Sequence, residues 1–319
     1  MDLSVIILNW NTRDLLRNSL NSILHPDPSK PVSPPGPSAD IEVLVVDNAS
    51  SDDSREMVKR EFPGVKLVCS PLNVGFGAGN NLALEHAGGR YVLFLNSDTE
   101  VVPGALDALV HFADANQDIG VLGPKLLNGD GSLQYSCRSY PNLGTGFFRN
   151  TPLGRLFPKN SFTNDYLLTS YDHLTPRDVD WVSGAALMMR RSIIDEIGAF
   201  DEEYFMFCED VDLCYRVNHL TNSGSTSNGA DANPTWRVTY YPDSIIYHLI
   251  GKSTDLAPTR MTYEFHRSQY LFYKKHYAAT TPVLLKPIIP LGIAMRAVGK
   301  MARYRLRRLQ RVIMRSERV

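Results

Sequence analysis

Short apolar runs that end in polar side chains recur along this chain. Leu3 to Leu8, Ile41 to Val46 and Tyr91 to Leu95 are too short for helices and read as strands covered on both faces, as in a parallel sheet. Each passes directly into a polar turn: Asn9-Trp10-Asn11-Thr12, Asp47-Asn48-Ala49-Ser50 and Asn96-Ser97-Asp98. In open α/β sheets the ligand crevice lies beyond the carboxyl ends of the strands, so these turns are where a ligand is expected.

Helical spacing follows each strand. Leu16, Leu20 and Ile23 recur at steps of four and three after Asn11, which with Asp14 fits a capping pattern. Ser51 to Glu61 reads as an acidic-started helix stopped by Pro63. Lys66 to Cys69 is a third strand, and Asn73 to Asn81 leads into a helix that Gly88 and Gly89 close. Pro103 to Ala115 is a helix with proline in its first turn, and Gly120 to Leu127 a further strand.

Glycines 75, 77 and 79 fail the G-x-G-x-x-G spacing because position 80 is Asn, which argues against a dinucleotide-binding dehydrogenase. The same loop lets backbone approach a phosphate.

The alternation breaks beyond Gln134 into an aromatic and basic stretch that includes Tyr135, Arg138, Phe148, Arg149 and Tyr166, a candidate lid or acceptor surface. Asp180 to Met189 then reads as a turn and buried strand, and Arg191 to Ile197 as a short helix stopped by Gly198. From Asp201 to Leu213, six carboxylates fall in thirteen positions among aromatics, and a helix is expected over Glu209 to Asn218. Trp236 to Tyr241 and Ser244 to Tyr247 are apolar runs, the second delivering His248, and Thr262 to Tyr277 is an aromatic-rich helix. The proline-rich segment His25 to Asp40 and the Ser, Asn and Gly rich segment His219 to Pro234 read as surface insertions.

Composition adds an asymmetry. The net charge is -1, yet from Val283 to Val319 there are ten Lys or Arg and one acid. Leu291, Met295, Val298, Ala302, Leu306, Leu309 and Ile313 make one apolar stripe there, and basic residues hold the other faces, the pattern of a helix lying on an anionic membrane or packed on protein. Four scattered cysteines show no zinc or disulfide spacing, which fits a reducing compartment. No signal peptide and no uncharged run of spanning length is read, so a cytoplasmic protein, peripheral on the cytoplasmic face of the membrane, is expected. Nucleic acid is not an expected partner.

The polar turns suggest a chemistry. Glycosyl transfer from a nucleotide sugar needs a base pocket, a cation for the leaving diphosphate and a carboxylate to deprotonate the acceptor. Asp47 can accept from a pyrimidine N–H or a ribose hydroxyl. Asn96-Ser97-Asp98 is either turn chemistry or a cation site, and Asp98 with His248 suits Mn²⁺ or Mg²⁺. Asp210 begins a helix, whose dipole favours the ionised carboxylate, whereas Glu209 and Asp212 oppose ionisation.

Taken together, Val5-Ile6-Ile7-Leu8-Asn9-Trp10-Asn11, Val45-Val46-Asp47-Asn48-Ala49-Ser50, Asn73-Val74-Gly75-Phe76-Gly77 and Leu95-Asn96-Ser97-Asp98 open an ordered series. Asp180-Trp181-Val182-Ser183-Gly184-Ala185, Phe200-Asp201-Glu202, Glu209-Asp210-Val211-Asp212-Leu213-Cys214 and Tyr247-His248 complete it. Across residues 3 to 277 the chain resembles the inverting family 2 glycosyltransferases, in particular their rhamnosyltransferase-like branch.

The resemblance implies a GT-A fold, that is, α/β with a mostly parallel central sheet flanked by helices, here followed by the amphipathic tail. It implies a domain over 1–282, divided into a nucleotide-binding half (1–130) and an acceptor and catalytic half (131–282), with the tail at 283–319. It implies a nucleotide diphosphate sugar donor, dTDP-rhamnose for this branch, and a saccharide or lipid-linked saccharide acceptor. Asp210 would be the catalytic base; Leu8, Asn9, Asp47, Asn73, Gly77, Asn81, Asn96 and Asp98 would meet the donor; Trp181, Gly184 and Glu209 would meet the acceptor or sugar; Asp98 and His248 would hold Mn²⁺ or Mg²⁺. The chain departs from the family's D-x-D motif in having Asn96 at its first position. A nucleotidyltransferase making a nucleotide sugar and a non-catalytic sugar-nucleotide-binding protein are the alternatives.

Overall fold

The structure, a computed structural model, describes residues 1–26, 38–149, 152–158, 160–220, 236–249 and 258–316, with backbone alone at 143, 147, 152, 153, 258 and 305–316. Most of both insertions, and the stripe positions Leu306, Leu309 and Ile313, therefore lie outside the described side chains.

The first half repeats strand and helix: β1 (Leu3–Asn9), α1 (Arg13–Leu24), β2 (Ile41–Asn48), α2 (Ser54–Glu61), β3 (Lys66–Ser70), α3 (Phe76–Asn81), β4 (Tyr91–Asn96), β5 (Thr99–Val101), α4 (Ala105–Ala115) and β6 (Ile119–Leu127). Short pieces follow: β7 (Leu133–Gln134), β8 (Cys137–Arg138), α5 (Leu143–Phe148), α6 (Pro152–Leu156), α7 (Ser161–Leu167), β9 (Arg177–Asp178) and β10 (Trp181–Val182). Then come β11 (Ala186–Arg190), α8 (Arg191–Ile197), α9 (Glu209–Asn218), β12 (Arg237–His248), α10 (Pro258–Phe272), a π turn over Tyr273–Tyr277, and α11 (Ile288–Ser316). The segment expected to be aromatic loop is thus partly helical.

The main sheet runs β3-β2-β1-β4-β11-β6-β12-β5, with β7 on β6 and β9 on β12. Strands β1, β2, β3 and β4 are mutually parallel, as are β6 and β12. The strand β11 enters antiparallel between β4 and β6. Alternate residues of β4 serve two cores, which is why its run is apolar throughout. Tyr91, Leu93 and Leu95 face Leu16, Leu20 and Leu109, whereas Val92 and Phe94 face Phe76, Phe200 and Leu213.

The expected cap of α1 is made differently. Asn11 takes a positive φ and accepts from the Ser51 N–H at 2.7 Å, and the Arg13 N–H is accepted by Asp52 Oδ2 at 2.9 Å. A carboxylate 39 residues away replaces the local one.

Helix α9 is fastened to the C-terminal part by one buried carboxylate. Asp212, fully buried, accepts from His276 Nε2 at 2.7 Å, Lys275 Nζ at 2.8 Å, Arg216 Nε at 2.9 Å and the Tyr204 hydroxyl at 3.4 Å. Burial alone would raise its pKa, but these donors overcome it and hold the carboxyl at about 2. Asp212→Ala leaves four cationic or donor groups facing one another, and is expected to cost about 3 kcal/mol in denaturant unfolding. Because the folded pKa is depressed, the wild-type advantage should be full above the unfolded value and vanish as pH falls toward 2.

Candidate active site

The polar turns meet along one edge of the sheet because the strand register aligns them. Asn9 pairs with Asp47 across β1 and β2, and Leu8 pairs with Asn96 across β1 and β4. Thr12 bridges the turns, donating to Asn9 Oδ1 at 2.7 Å and lying 2.7 Å from the Ser97 hydroxyl.

Beyond Ser97 the chain meets the end of β12. His248 Nδ1 donates to Gln134 Oε1 at 2.7 Å, and Nε2, turned the other way, accepts from Asn96 Nδ2 at 3.3 Å. Nε2 also lies 3.3 Å from Asp98 Oδ1. Two electron-pair donors facing at this distance are relieved by a proton or a cation, and an imidazole nitrogen beside a carboxylate suits Mn²⁺ or Mg²⁺. Among the described residues no three His, Cys, Asp or Glu side chains converge as a metal cage. Two protein ligands suffice for a cation that shares phosphate and water oxygens. Asn96, expected at the nucleotide, has its amide on the histidine.

The other donor-side candidates are largely engaged with protein. Asp47, 1 % exposed, is ion-paired with Arg55 Nε and also accepts from the Ser50 N–H at 3.1 Å and Asn9 Nδ2 at 3.4 Å. Asn73 Oδ1 accepts from Asn48 Nδ2 and the Gly75 N–H, both at 3.1 Å. Asn81 donates to Phe200 O at 2.8 Å and Glu202 Oε1 at 3.0 Å. The glycines of this loop serve close packing. Gly75 has φ +95°, and a Cβ there would lie 2.3 Å from Phe205 O; at Gly77 it would meet Phe200, and at Gly79 the Leu8 side chain. The loop read as a possible phosphate cradle is filled by Phe200, Phe205 and Leu8.

That packing seats Asp210. Phe205 O accepts from the Phe76 N–H at 2.7 Å, and two residues later Phe207 and Cys208 both take positive φ, +71° and +64°. Such conformations cost about 1 to 3 kcal/mol each and cluster where a side chain must be aimed. Here they start α9 with Glu209 and Asp210. Asp210 Oδ2 accepts from the Gly184 N–H at 3.0 Å and Oδ1 from the Val211 N–H at 2.9 Å. A Cβ at Gly184 would sit 3.3 Å from that of Asp210, so this approach leaves little room for a side chain.

Burial pushes the Asp210 pKa up, while the two backbone donors and the positive charge of Arg138 hold it back. Burial pushes Glu209 up more strongly, and the adjacent Asp210 charge adds to this. Glu209 Oε2 is buried without a partner. Burial thus disfavours the charge on Glu209 more than on Asp210, whose two N–H donors favour it, whereas Asp212 is held ionised by its ion pairs. Trp181, 5 % exposed, donates from Nε1 to Ser139 O at 2.9 Å, and its ring carries the Arg138 guanidinium at 4.9 Å.

Gln134, Arg138 and the Asp212 cluster were not among the expected site residues. Arg138 stood in the aromatic and basic stretch; nothing local marks Gln134 or His276.

Asp98 just beyond β4, His248 at the end of β12 and the buried Asp210 beside the start of β11 thus gather at one edge of the α/β sheet. Residues 4–198 match the sequence pattern described as Glycosyl transferase family 2, and the chain belongs to that family. It is 31% identical over 284 residues to the N-acetylglucosaminyl-diphospho-decaprenol L-rhamnosyltransferase of Mycobacterium tuberculosis, covering 85% of this chain and 86% of the relative. Rhamnosyltransferase WbbL of Escherichia coli is 30% identical over 188 residues, 56% of this chain and 66% of that protein. Among solved structures, the mannosyltransferase PcManGT from Pyrobaculum calidifontis in complex with GDP-Man and Mn²⁺ superposes with TM-score 0.53 at 17% identity, over 94% of this chain and 74% of that one. TarS 1-349 of S. aureus in complex with UDP gives 0.51 at 19%, over 93% and 81%. The fold is GT-A, and the protein is a glycosyltransferase rather than a nucleotidyltransferase or a non-catalytic binder.

If Asp210 is the base, activity must fall as pH falls through its raised pKa. A pH–rate profile should show an acidic limb above the ordinary 3.8 of an aspartate. Asp210→Asn should lower the rate by about 10²-fold or more and abolish that limb.

Proposed function

We propose that this chain transfers L-rhamnose from dTDP-rhamnose to a hydroxyl of N-acetylglucosamine carried on a polyprenol diphosphate, by inverting single displacement. The donor and acceptor follow the printed activity of the mycobacterial relative, which matches most of both chains. The observation that carries the mechanism is a backbone bridge. Gly184 N–H holds Asp210, and the next residue, Ala185, accepts through its carbonyl from the Asn96 N–H at 2.9 Å. One short turn thus contacts Asp210 on one side and the Asn96–Asp98 turn on the other, which supports a sugar lying between them.

Asp210 takes the proton of the acceptor hydroxyl, whose oxygen then attacks the anomeric carbon as the bond to the diphosphate breaks. Asp98 and His248 would hold Mn²⁺ or Mg²⁺, which when bound supplies charge neutralisation for the leaving diphosphate. Gln134 orients the histidine, as an outer partner of a ligating imidazole does. Asn9, Asn73, Asn81, Gly77 and the Asp47–Arg55 pair shape the donor side, with Leu8 beneath. Trp181 and Glu209 border the acceptor. Residues 1–130 would hold the nucleotide and 131–282 the acceptor. Among the described residues no helix is long and apolar enough to cross a membrane, and the tail helix over 283–319 would lie on an anionic cytoplasmic surface where a lipid-linked acceptor is found.

The test is thermal stabilisation by a panel of nucleotide sugars with and without Mn²⁺, followed by transfer assays. dTDP-rhamnose should give the largest shift, with a Mn²⁺-dependent part that His248→Ala removes. A larger shift with a UDP- or GDP-sugar, and transfer from it, would replace the donor. Transfer unaffected by chelation and by His248→Ala would sink the cation site.

A further inference from the structure

Several arginines among the described residues carry a carboxylate partner: Arg55 has Asp47, Arg90 has Asp114, Arg216 has Asp212 and Arg237 has Asp118. Four basic residues near Tyr166 and α11 are satisfied differently. The Arg138 guanidinium spans the rings of Trp181 at 4.9 Å and Tyr166 at 5.8 Å and donates to Tyr135 O. Arg149 lies over the same Tyr166 ring at 4.7 Å. Arg296 of α11 donates to Gly146 O, and Lys300, one turn on, sits over the Phe265 ring at 5.3 Å. Among the described residues none of the four has an ion pair.

The arrangement is unfavourable as it stands. Burial pushes the pKa of Arg149 and Arg296 down, and Lys300 is lowered by burial and then by the like charges of Arg296 and Arg149. Cations gathered without counter-charge cost energy that an anion returns. Guanidinium groups match phosphate oxygens in geometry and charge.

Beside this cluster lies a mostly apolar cavity of about 500 Å³, lined by Phe148, Leu156, Phe157, Pro158 and Asn160. At its rim Leu156 is 74 % exposed and Phe157 57 %. The outer face of α11 exposes Leu291, Met295 and Val298, while its Arg296 turns inward to Gly146. A basic centre with an open apolar flank is complementary to an anionic head on a hydrocarbon chain.

We propose that Arg138, Arg149, Arg296 and Lys300 seat the diphosphate of the acceptor, and that the Phe148 cavity receives the first isoprenoid units of its lipid. This rests on the reading of the acceptor as polyprenol-linked. The donor diphosphate is read at Asp98 and His248, with Gln134 on the histidine, whereas Arg138 stacks on Trp181 and Tyr166. Arg138 covers Trp181 and its charge reaches Asp210, which places the acceptor's diphosphate on the base side.

Farnesyl diphosphate is the probe, with farnesol, inorganic pyrophosphate and dTDP as comparisons, each titrated calorimetrically into the full chain. Wild type should bind farnesyl diphosphate at least about tenfold more tightly than farnesol or pyrophosphate. Lys300→Gln, at an exposed position where folding is safe, and Arg149→Gln should each weaken it by about tenfold and leave dTDP affinity unchanged. Loss of dTDP binding in the same proportion would assign these residues to the donor and overturn the proposal. So would equal affinity for farnesol, no effect of Lys300→Gln, or an equal loss of binding to phosphatidylglycerol vesicles, which would make the cluster a general membrane anchor. If farnesyl diphosphate binds as expected while no nucleotide sugar does, the error lies in the donor reading and this site stands.

Discussion

The backbone turn Gly184–Ala185 is the constraint on which the catalytic geometry depends. Its two peptide groups face different partners, Asp210 on one side and Asn96 on the other. It lies at the start of β11, the strand that runs against its neighbours between β4 and β6. A parallel insertion would have delivered its carboxyl end to this edge. The antiparallel one delivers its amino end, whose free N–H groups suit an anion. The absence of a side chain at 184 then lets the carboxylate come within hydrogen-bonding distance.

The three carboxylates at the start of α9 meet different electrostatic surroundings. Asp212 is neutralised by His276, Lys275 and Arg216 and has become a structural fastener. Burial raises the pKa of Glu209 strongly. Asp210 lies between these extremes, raised by burial and moderated by two N–H donors and Arg138. A general base works best when its pKa is neither far below nor above ambient pH. The strain at Phe207 and Cys208 is the conformational cost of placing it there.

The strands were legible because residues buried on both faces must be apolar throughout, as Tyr91 to Leu95 is. Helices α8 and α9 fall where Gly198 and the acidic start at Glu209 put them. What sequence spacing did not reveal depends on distant partners. The Asn11 and Asp14 cap gives way to Asp52, and the glycines at 75, 77 and 79 answer to Phe205, Phe200 and Leu8. Gln134 acquires meaning only through a contact 114 residues away. The tail's amphipathic pattern was visible, but which face meets protein was not: Arg296 turns inward while the stripe positions Leu291, Met295 and Val298 stay exposed.

The proposed mechanism puts base and leaving group on opposite sides of one sugar. That claim is tested most directly by the anomeric configuration of the product from a single-turnover reaction, read by NMR coupling constants. Attack opposite the diphosphate requires inversion relative to the nucleotide sugar. A product of retained configuration would contradict the account, because a single displacement with Asp210 as base cannot yield it.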